Sequence, residues 1–214
     1  SQLALAALVG LAAGSATAQV KGGPGGVLSN RDGSVVVTNF TPQQRGTAVC
    51  LETMAVESWD GIDDPDNTVM TFDIGAGNEL TGVSFDVQID TIAPSWLSEA
   101  AVLFSDSTGS ADPNGINLTP GVGNDAAGTM DFSSGGVIDF ATNMLPNIVA
   151  GADGLLRLEF FETFDDTADA IDGFWRPFTG TPATCNGLSF ACTNQAACDA
   201  ALGGGSGPLP PATA

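Results

Sequence analysis

The sequence predicts an all-β protein, a single antiparallel β-sandwich of jelly-roll type. Residues 80–90 alternate apolar and polar side chains with a period of two, as in a half-buried antiparallel strand. Turn-forming Gly, Asp, Asn and Pro separate short segments rich in β-branched and aromatic residues. No segment carries an amphipathic helical pattern of useful length. The 214 residues, 43% of them hydrophobic, are enough for one core of ordinary size.

Roughly eight or nine short strands are expected from these patterns. In the clearest strand, Val83, Phe85, Val87 and Ile89 share one face. The segment 106–129, which is rich in Gly, Asp, Asn and Pro, predicts a long surface loop. The strands are expected at 34–39, 47–53, 68–74, 80–90, 99–105, 137–140, 155–164, 174–178 and 187–191.

The two ends of the chain have compositions typical of segments outside a folded core. Residues 1–18 contain a short apolar run and end in small residues, which is typical of a secretory signal peptide cleaved after Ala18. The alternative is an N-terminal structural helix. A Gly-rich leader is expected at 19–33, the sandwich at 34–200 and a Gly/Pro-rich linker tail at 201–214, with disordered or extended termini. We expect the precursor to continue beyond this tail.

The charge balance restricts the partners of the protein. Twenty-five acidic residues face five basic ones, a formal net charge of −20, which disfavours nucleic acids and anionic membranes. Cations, or glycans bridged by cations, are the natural partners; the alternative is that acidity serves solubility alone. The sequence has no histidine, which removes the commonest general base, a common zinc ligand and the Ser-His-Asp triad.

Four cysteines in an exported chain predict two disulfides, for which three pairings are open. Three of them lie near the C-terminus, so remote Cys50 is expected to tie an early strand to this late segment. The favoured pairing is Cys50–Cys185 with a local Cys192–Cys198. A zinc site is disfavoured, because the spacing lacks a two-residue knuckle.

Three acidic loops are candidates for calcium, a hard cation that takes six to eight oxygen ligands. None of them matches the EF-hand pattern, and the alternative is that Asp, Asn and Gly simply form turns. The third loop is the favoured candidate. The loops contain, in chain order, Asp60, Asp63, Asp64 and Asp66; Asp106, Asp112 and Asn114; and Asp165, Asp166, Asp169 and Asp172.

The three tryptophans raise the alternative of a surface that stacks on sugar rings. Trp96 and Trp175 are expected to pack on the core, whereas Trp59, beside an acidic turn, is the candidate for a glycan contact. Glu159 and Glu162 with Asp165 would offer an acid and a base for glycoside cleavage. Carboxylates on strand faces are much more often structural, so the sequence favours a protein that is not an enzyme.

Several blocks between about residues 80 and 178 resemble secreted bacterial proteins that carry a PEP-CTERM-type sorting signal. The resemblance implies export across the inner membrane in bacteria that make exopolysaccharide. The sorting signal itself is not present in this chain, and residues 209–211 lie about where it would begin. The blocks are SWLSE at 95–99, LTPGVGND at 118–125 with GT at 128–129, ADGLLRLEFFE at 152–162, FDD at 164–166 and DGFW at 172–175.

Together these observations predict a non-enzymatic cell-surface or extracellular-matrix protein of a bacterium. Its expected partners are exopolysaccharide, other surface proteins or further copies of itself. One alternative is a calcium-dependent carbohydrate-binding module. Another is a filament subunit assembled by donor-strand pairing, with the loose leader from Gln19 as the donor.

Overall fold

The protein is a β-sandwich, as predicted, in which two sheets pack face to face. The computed structural model describes residues 27–28, 37–38, 49–52, 55–167, 170–183 and 186–201. These residues form β1 Val27–Leu28, β2 Val37–Thr38, β3 Val49–Glu52, β4 Val56–Ser58, β5 Thr68–Asp73, β6 Glu79–Thr91, β7 Ala100–Asp106, β8 Ile116–Leu118, β9 Gly128–Ser133, β10 Val137–Asp139, β11 Ile148–Val149, β12 Leu155–Glu162, β13 Gly173–Pro177, β14 Gly187–Cys192 and the helix α1 Gln195–Ala201.

One sheet has five strands in the order β1-β8-β7-β12-β5. The other has nine strands arranged around β6, and every described pairing is antiparallel except that of β1 with β8. Most connections between β4 and β13 cross from one sheet to the other, so the chain winds around the core as it does in a jelly roll.

The long strand β6 organises the nine-stranded sheet. Its residues 87–91 pair with both β9 and β13, which must therefore lie on opposite edges. Its first half pairs with β14 on one edge and with β10 and β11 on the other. The predicted apolar face is buried in the core. The polar face is also buried at Ser84 and Asp86, where the sequence pattern predicted exposure.

Aromatic pairs join the two sheets across the core. Phe160 of β12 packs edge-on against Trp175 of β13, with ring centroids 5.3 Å apart. Phe104 of β7 makes a similar contact with Phe190 of β14 at 5.9 Å. All four side chains are buried. Such pairs bury apolar area and also prefer particular ring orientations. They therefore restrict how one sheet packs on the other.

The outer face of the five-stranded sheet is covered by the loop between β4 and β5. Phe161 and Leu103 are fully buried there with Ala101, and Ile62 from the loop packs on them. The Asp63 N–H donates to Glu159 Oε1 at 2.6 Å. Glu159 is buried, so this loop makes the strand face opposite the core a second interior surface.

Sequence patterns predicted most of the longer strands and missed several short ones. The predicted loop at 106–129 contains a 3-10 helix, Gly109–Ala111, and strand β8, so the prediction of little strand character was wrong there. Strands β1, β4, β9 and β11 and the helix α1 were also not predicted. Strands β1, β4, β8 and β11 have only two or three residues, and such a strand is specified by its partner strand more than by its own residues, which explains these four omissions.

The Cys192–Cys198 disulfide is confirmed, with a Cα–Cα distance of 6.5 Å. It joins the end of β14 to α1, and Cys198 is buried in the core. The predicted Cys50–Cys185 pairing is not tested, because Cys185 lies outside the described residues, as do the predicted signal peptide and the linker tail beyond Ala201. No helix in the described part of the chain is long and apolar enough to cross a membrane.

Candidate metal centre

Four loops meet at one end of the sandwich. They follow β4, β6, β8 and β12, and backbone hydrogen bonds join them. The Thr163 N–H donates to the Glu99 carbonyl at 2.9 Å, and the Leu97 N–H donates to the Ala126 carbonyl at 3.0 Å. The Glu162 N–H donates to the carbonyl of Asp60 at 2.9 Å. These bonds hold the loops of both sheets against one another.

Three aspartates converge at this end. Carboxylate oxygens of Asp60, Asp165 and Asp172 all lie within 4.8 Å of one another. We call these residues the aspartate trio. Strand pairing explains part of the convergence: Gly173 of β13 is opposite Ser58 of β4, so Asp172 and Asp60 leave the same end of one strand pair. The loop after β12 brings in Asp165 from the other sheet.

Two buried carboxylates at this end each have an oxygen with no hydrogen-bond partner among the described residues. Asp172 is 2% exposed, and its Oδ1 accepts a hydrogen bond from Ser95 Oγ at 2.8 Å, whereas its Oδ2 has none. Glu162 is 1% exposed, and its Oε1 accepts one from Ser58 Oγ at 3.1 Å, whereas its Oε2 has none. Buried polar atoms are nearly always satisfied, so these two oxygens are available to a ligand bound at this end.

The electrostatics of the site favour a cation. Burial raises the pKa of Asp172 to about 6, and the charges of Asp165 and Asp60 raise it further against the opposing Ser95 hydrogen bond. Burial also raises the pKa of Glu162 well above its usual value, with Asp172 adding to the effect and the Ser58 hydrogen bond opposing it.

The basic residues of the described chain lie elsewhere. Arg157 pairs with Glu159 at 2.7 Å and Arg176 with Asp90 at 3.1 Å, and they are the only two basic residues in the described part of the chain. A divalent cation would supply the positive charge that these arginines do not bring to the trio.

An open cleft of about 580 Å³ lies beside the trio. Phe164, in the loop after β12, lines it and is 62% exposed. Carboxylates and apolar side chains therefore share this surface. The cleft is lined by Asp60, Gly61, Ile62, Asp63, Asp64, Pro65, Glu162, Thr163, Phe164 and Asp165.

The structure joins two of the acidic loops that the sequence presented separately. Asp60 of the first loop meets Asp165 and Asp172 of the third, and it also groups with Asp64 and Asp66 of its own loop. Asp166 is exposed and outside the trio, and Asp169 lies outside the described residues. Asp60 reaches Asp165 and Asp172 through pairing between strands far apart in the chain, so sequence spacing did not show that the first and third loops meet.

The second acidic loop has the hydrogen bonds of a turn. The two carboxylate oxygens of Asp112 accept bonds from the Asn114 and Asp106 N–H groups, both at 2.8 Å. Asp106 Oδ1 accepts one from the Thr108 N–H at 2.8 Å. Its aspartates thus bind backbone N–H groups of their own loop, which is the turn-forming alternative.

The burial of the tryptophans agrees with the prediction only in part. Trp175 is buried in the core as expected, but Trp96 is 43% exposed, so the expectation that it packs on the core was wrong. Trp96 lies in the loop after β6, where no strand holds its side chain inward. Trp59 is half-buried, and its indole N–H donates to Glu57 Oε2 at 3.1 Å. It does not line the cleft; Phe164 does, and the predicted set omitted that residue.

The carboxylate of Glu159 has a structural role. Its carboxylate accepts hydrogen bonds from Arg157, from the Asp63 N–H and from Asn67 Nδ2 at 3.1 Å, and its side chain is fully buried. Glu159 therefore anchors the loop between β4 and β5 to the sheet. It is not among the residues that line the cleft, unlike Glu162 and Asp165.

Comparison with known proteins gave no match among family models, curated proteins or solved structures.

Proposed function

We propose that this protein is a non-enzymatic cell-surface or extracellular-matrix β-sandwich that binds calcium at its loop end and associates with exopolysaccharide. The observation that carries the proposal is Asp172, which is buried within the aspartate trio with one carboxylate oxygen left without a hydrogen-bond partner among the described residues. A fold that buries an ionised group without compensation is destabilised, and a bound cation removes that cost.

The ligand set favours calcium over other cations. The trio offers carboxylate oxygens alone, which suit hard cations, whereas zinc prefers histidine and cysteine. Calcium accepts irregular arrangements of six to eight oxygens, whereas magnesium requires a near-ideal octahedron. The trio joins side chains from two loops, with Asp165 and Asp172 in the loop between β12 and β13 and Asp60 in the loop after β4, and this irregular arrangement fits the more tolerant ion.

Export and a surface location are supported by composition and covalent structure. The Cys192–Cys198 disulfide is typical of an oxidising compartment. The apolar run and small residues within 1–18 are typical of a signal peptide, and the resemblance to PEP-CTERM-type proteins agrees with that location. The acidic surface suits an environment in which divalent cations bridge proteins and glycans.

Calorimetric titration of the full chain with calcium tests the proposal. We expect one calcium site. Asp172→Asn should raise its Kd at least about tenfold, because the substitution replaces a buried anionic ligand by a neutral side chain of the same shape. Asp166→Asn is the matched control, with the same change of charge in the same loop but outside the trio, and we expect it to change the Kd only slightly. Absence of calcium binding, or equal binding by Asp172→Asn and the native protein, would contradict the proposal.

A further inference from the structure

We propose that the cleft beside the aspartate trio binds a neutral, hydroxyl-rich glycan whose vicinal hydroxyl oxygens complete the coordination of calcium while Phe164 packs against the sugar ring. This inference rests on the calcium site proposed above and names the class of ligand that it takes. Among the described residues, neither Trp59 nor Arg157 nor Arg176 lines this cleft.

The coordination of the ion leaves room for ligand oxygens. If each aspartate of the trio supplies one oxygen, three positions of a six- to eight-coordinate ion are filled by the chain. Asp172 approaches from the buried side, held by Ser95, while Asp165 is exposed and lines the cleft. The remaining positions therefore face the cleft, where adjacent hydroxyls of a sugar reach one ion together.

The charge of the cleft selects a neutral ligand. Three aspartates with one calcium ion still carry a net negative charge, and Asp63 and Asp64 also line the cleft. A uronate would bring a further carboxylate into this field, whereas a hydroxyl brings oxygen without charge. The net charge of −20 over the whole chain acts in the same direction.

The apolar part of the cleft matches the less polar face of a sugar. Phe164 is an exposed aromatic side chain that cannot itself form a conventional hydrogen bond, and Ile62 and Pro65 line the same cleft. A volume of about 580 Å³ lies within the range of about 300–1,000 Å³ typical of small-ligand sites. Carboxylates and an aromatic ring that line the same cleft supply the polar and apolar contacts that a carbohydrate requires.

The test uses the full chain and polysaccharides of defined charge. Dextran, mannan and galactan are the neutral probes and alginate is the uronate probe, each examined by affinity electrophoresis in millimolar calcium and in EDTA. We expect retardation by at least one neutral probe in calcium, its loss in EDTA, and no comparable retardation by alginate.

Two variants separate glycan binding from calcium binding. Phe164→Ala should weaken the glycan interaction about tenfold or more and leave the calcium Kd within about twofold of the native value. Met144→Ala, which removes a 93% exposed side chain in the connection between β10 and β11, should change neither.

The outcomes are distinguishable. Calcium binding with no retardation by any neutral probe, or with retardation by alginate alone, would overturn the glycan inference and leave the calcium site standing. Neutral glycan binding that persists in EDTA would overturn coordination through the metal. Failure to bind calcium would overturn both proposals.

Discussion

Replacing Asp172 by asparagine should change the stability of the protein in opposite directions with and without calcium. Without the ion, ionised Asp172 faces two carboxylates within 4.8 Å, each repelling it by about 3.5 kcal/mol at an effective dielectric constant of about 20. A pKa of about 6 against 3.8 corresponds to at most about 3 kcal/mol at pH 8, and solvent screening at exposed Asp165 reduces it. We expect Asp172→Asn to stabilise the calcium-free protein by about 1–2 kcal/mol.

Calcium should reverse this order. An ion bound only by the folded state stabilises it by RT ln(1 + [L]/Kd), which is about 2.7 kcal/mol at a hundredfold excess over Kd. For a protein of this size, that corresponds to a rise in Tm of about 5–11 °C. Asp172→Asn lacks an anionic ligand and should show little of this rise, so in calcium the native protein should be the more stable one.

Thermal unfolding at pH 8, followed by circular dichroism, measures the stability of the native protein and of Asp172→Asn, each in EDTA and in millimolar calcium. Asp166→Asn serves as the control and should keep nearly the full calcium shift, because its side chain is exposed and outside the trio. The reasoning would be refuted if Asp172→Asn melted below the native protein in EDTA and yet gained the same calcium shift, since Asp172 would then be a structural residue only.

Three further predictions concern buried groups. Burial raises the pKa of Glu162, so the folded state favours the protonated form of this side chain. The calcium-free protein should therefore lose stability as pH rises above about 4.5. Urea titrations at several pH values should show a weaker pH dependence in Glu162→Gln. An unchanged pH dependence in the variant would contradict this assignment. Replacing Cys192 and Cys198 together by serine should cost about 2 kcal/mol by loop entropy at a separation of 6 residues, measured as a lower urea midpoint; an equal midpoint would show that the bridge adds nothing. Arg157→Gln should cost about 2–4 kcal/mol by leaving buried Glu159 without its cation, and the double variant with Glu159→Gln should recover part of that loss; no recovery would mean that Arg157 acts through packing.

The sequence predicted those parts of the fold whose information is local. In β6, each residue faces the core or the opposite side by strict alternation, so the pattern alone identified Val83, Phe85, Val87 and Ile89 as sharing the buried face. The same alternation misassigned Ser84, because a strand pattern reports which face a residue occupies and not what later covers that face.

The candidate site was predictable only in part, since it depends on pairing between distant strands. Asp165 and Asp172 belong to one acidic loop, which the sequence favoured as a calcium site. Asp60 joins them through the register of β4 against β13, which no local pattern encodes. Phe164 carries no signal of its own in the sequence, because an aromatic residue that ends a strand is more often part of the core.

A calcium ion bound by the trio would affect the stability of the fold more than a calcium ion bound by three surface carboxylates. Asp60 and Asp172 extend from strands of the nine-stranded sheet, whereas Asp165 extends from β12 of the five-stranded sheet. An ion held by all three would therefore cross-link the two sheets at their loop end, in addition to the aromatic contact between Phe160 and Trp175 in the core. Calcium bound there would stabilise the loops that line the cleft, so it should slow hydrogen exchange at the backbone N–H of Glu162, which donates to the carbonyl of Asp60, and leave exchange in β14 unchanged.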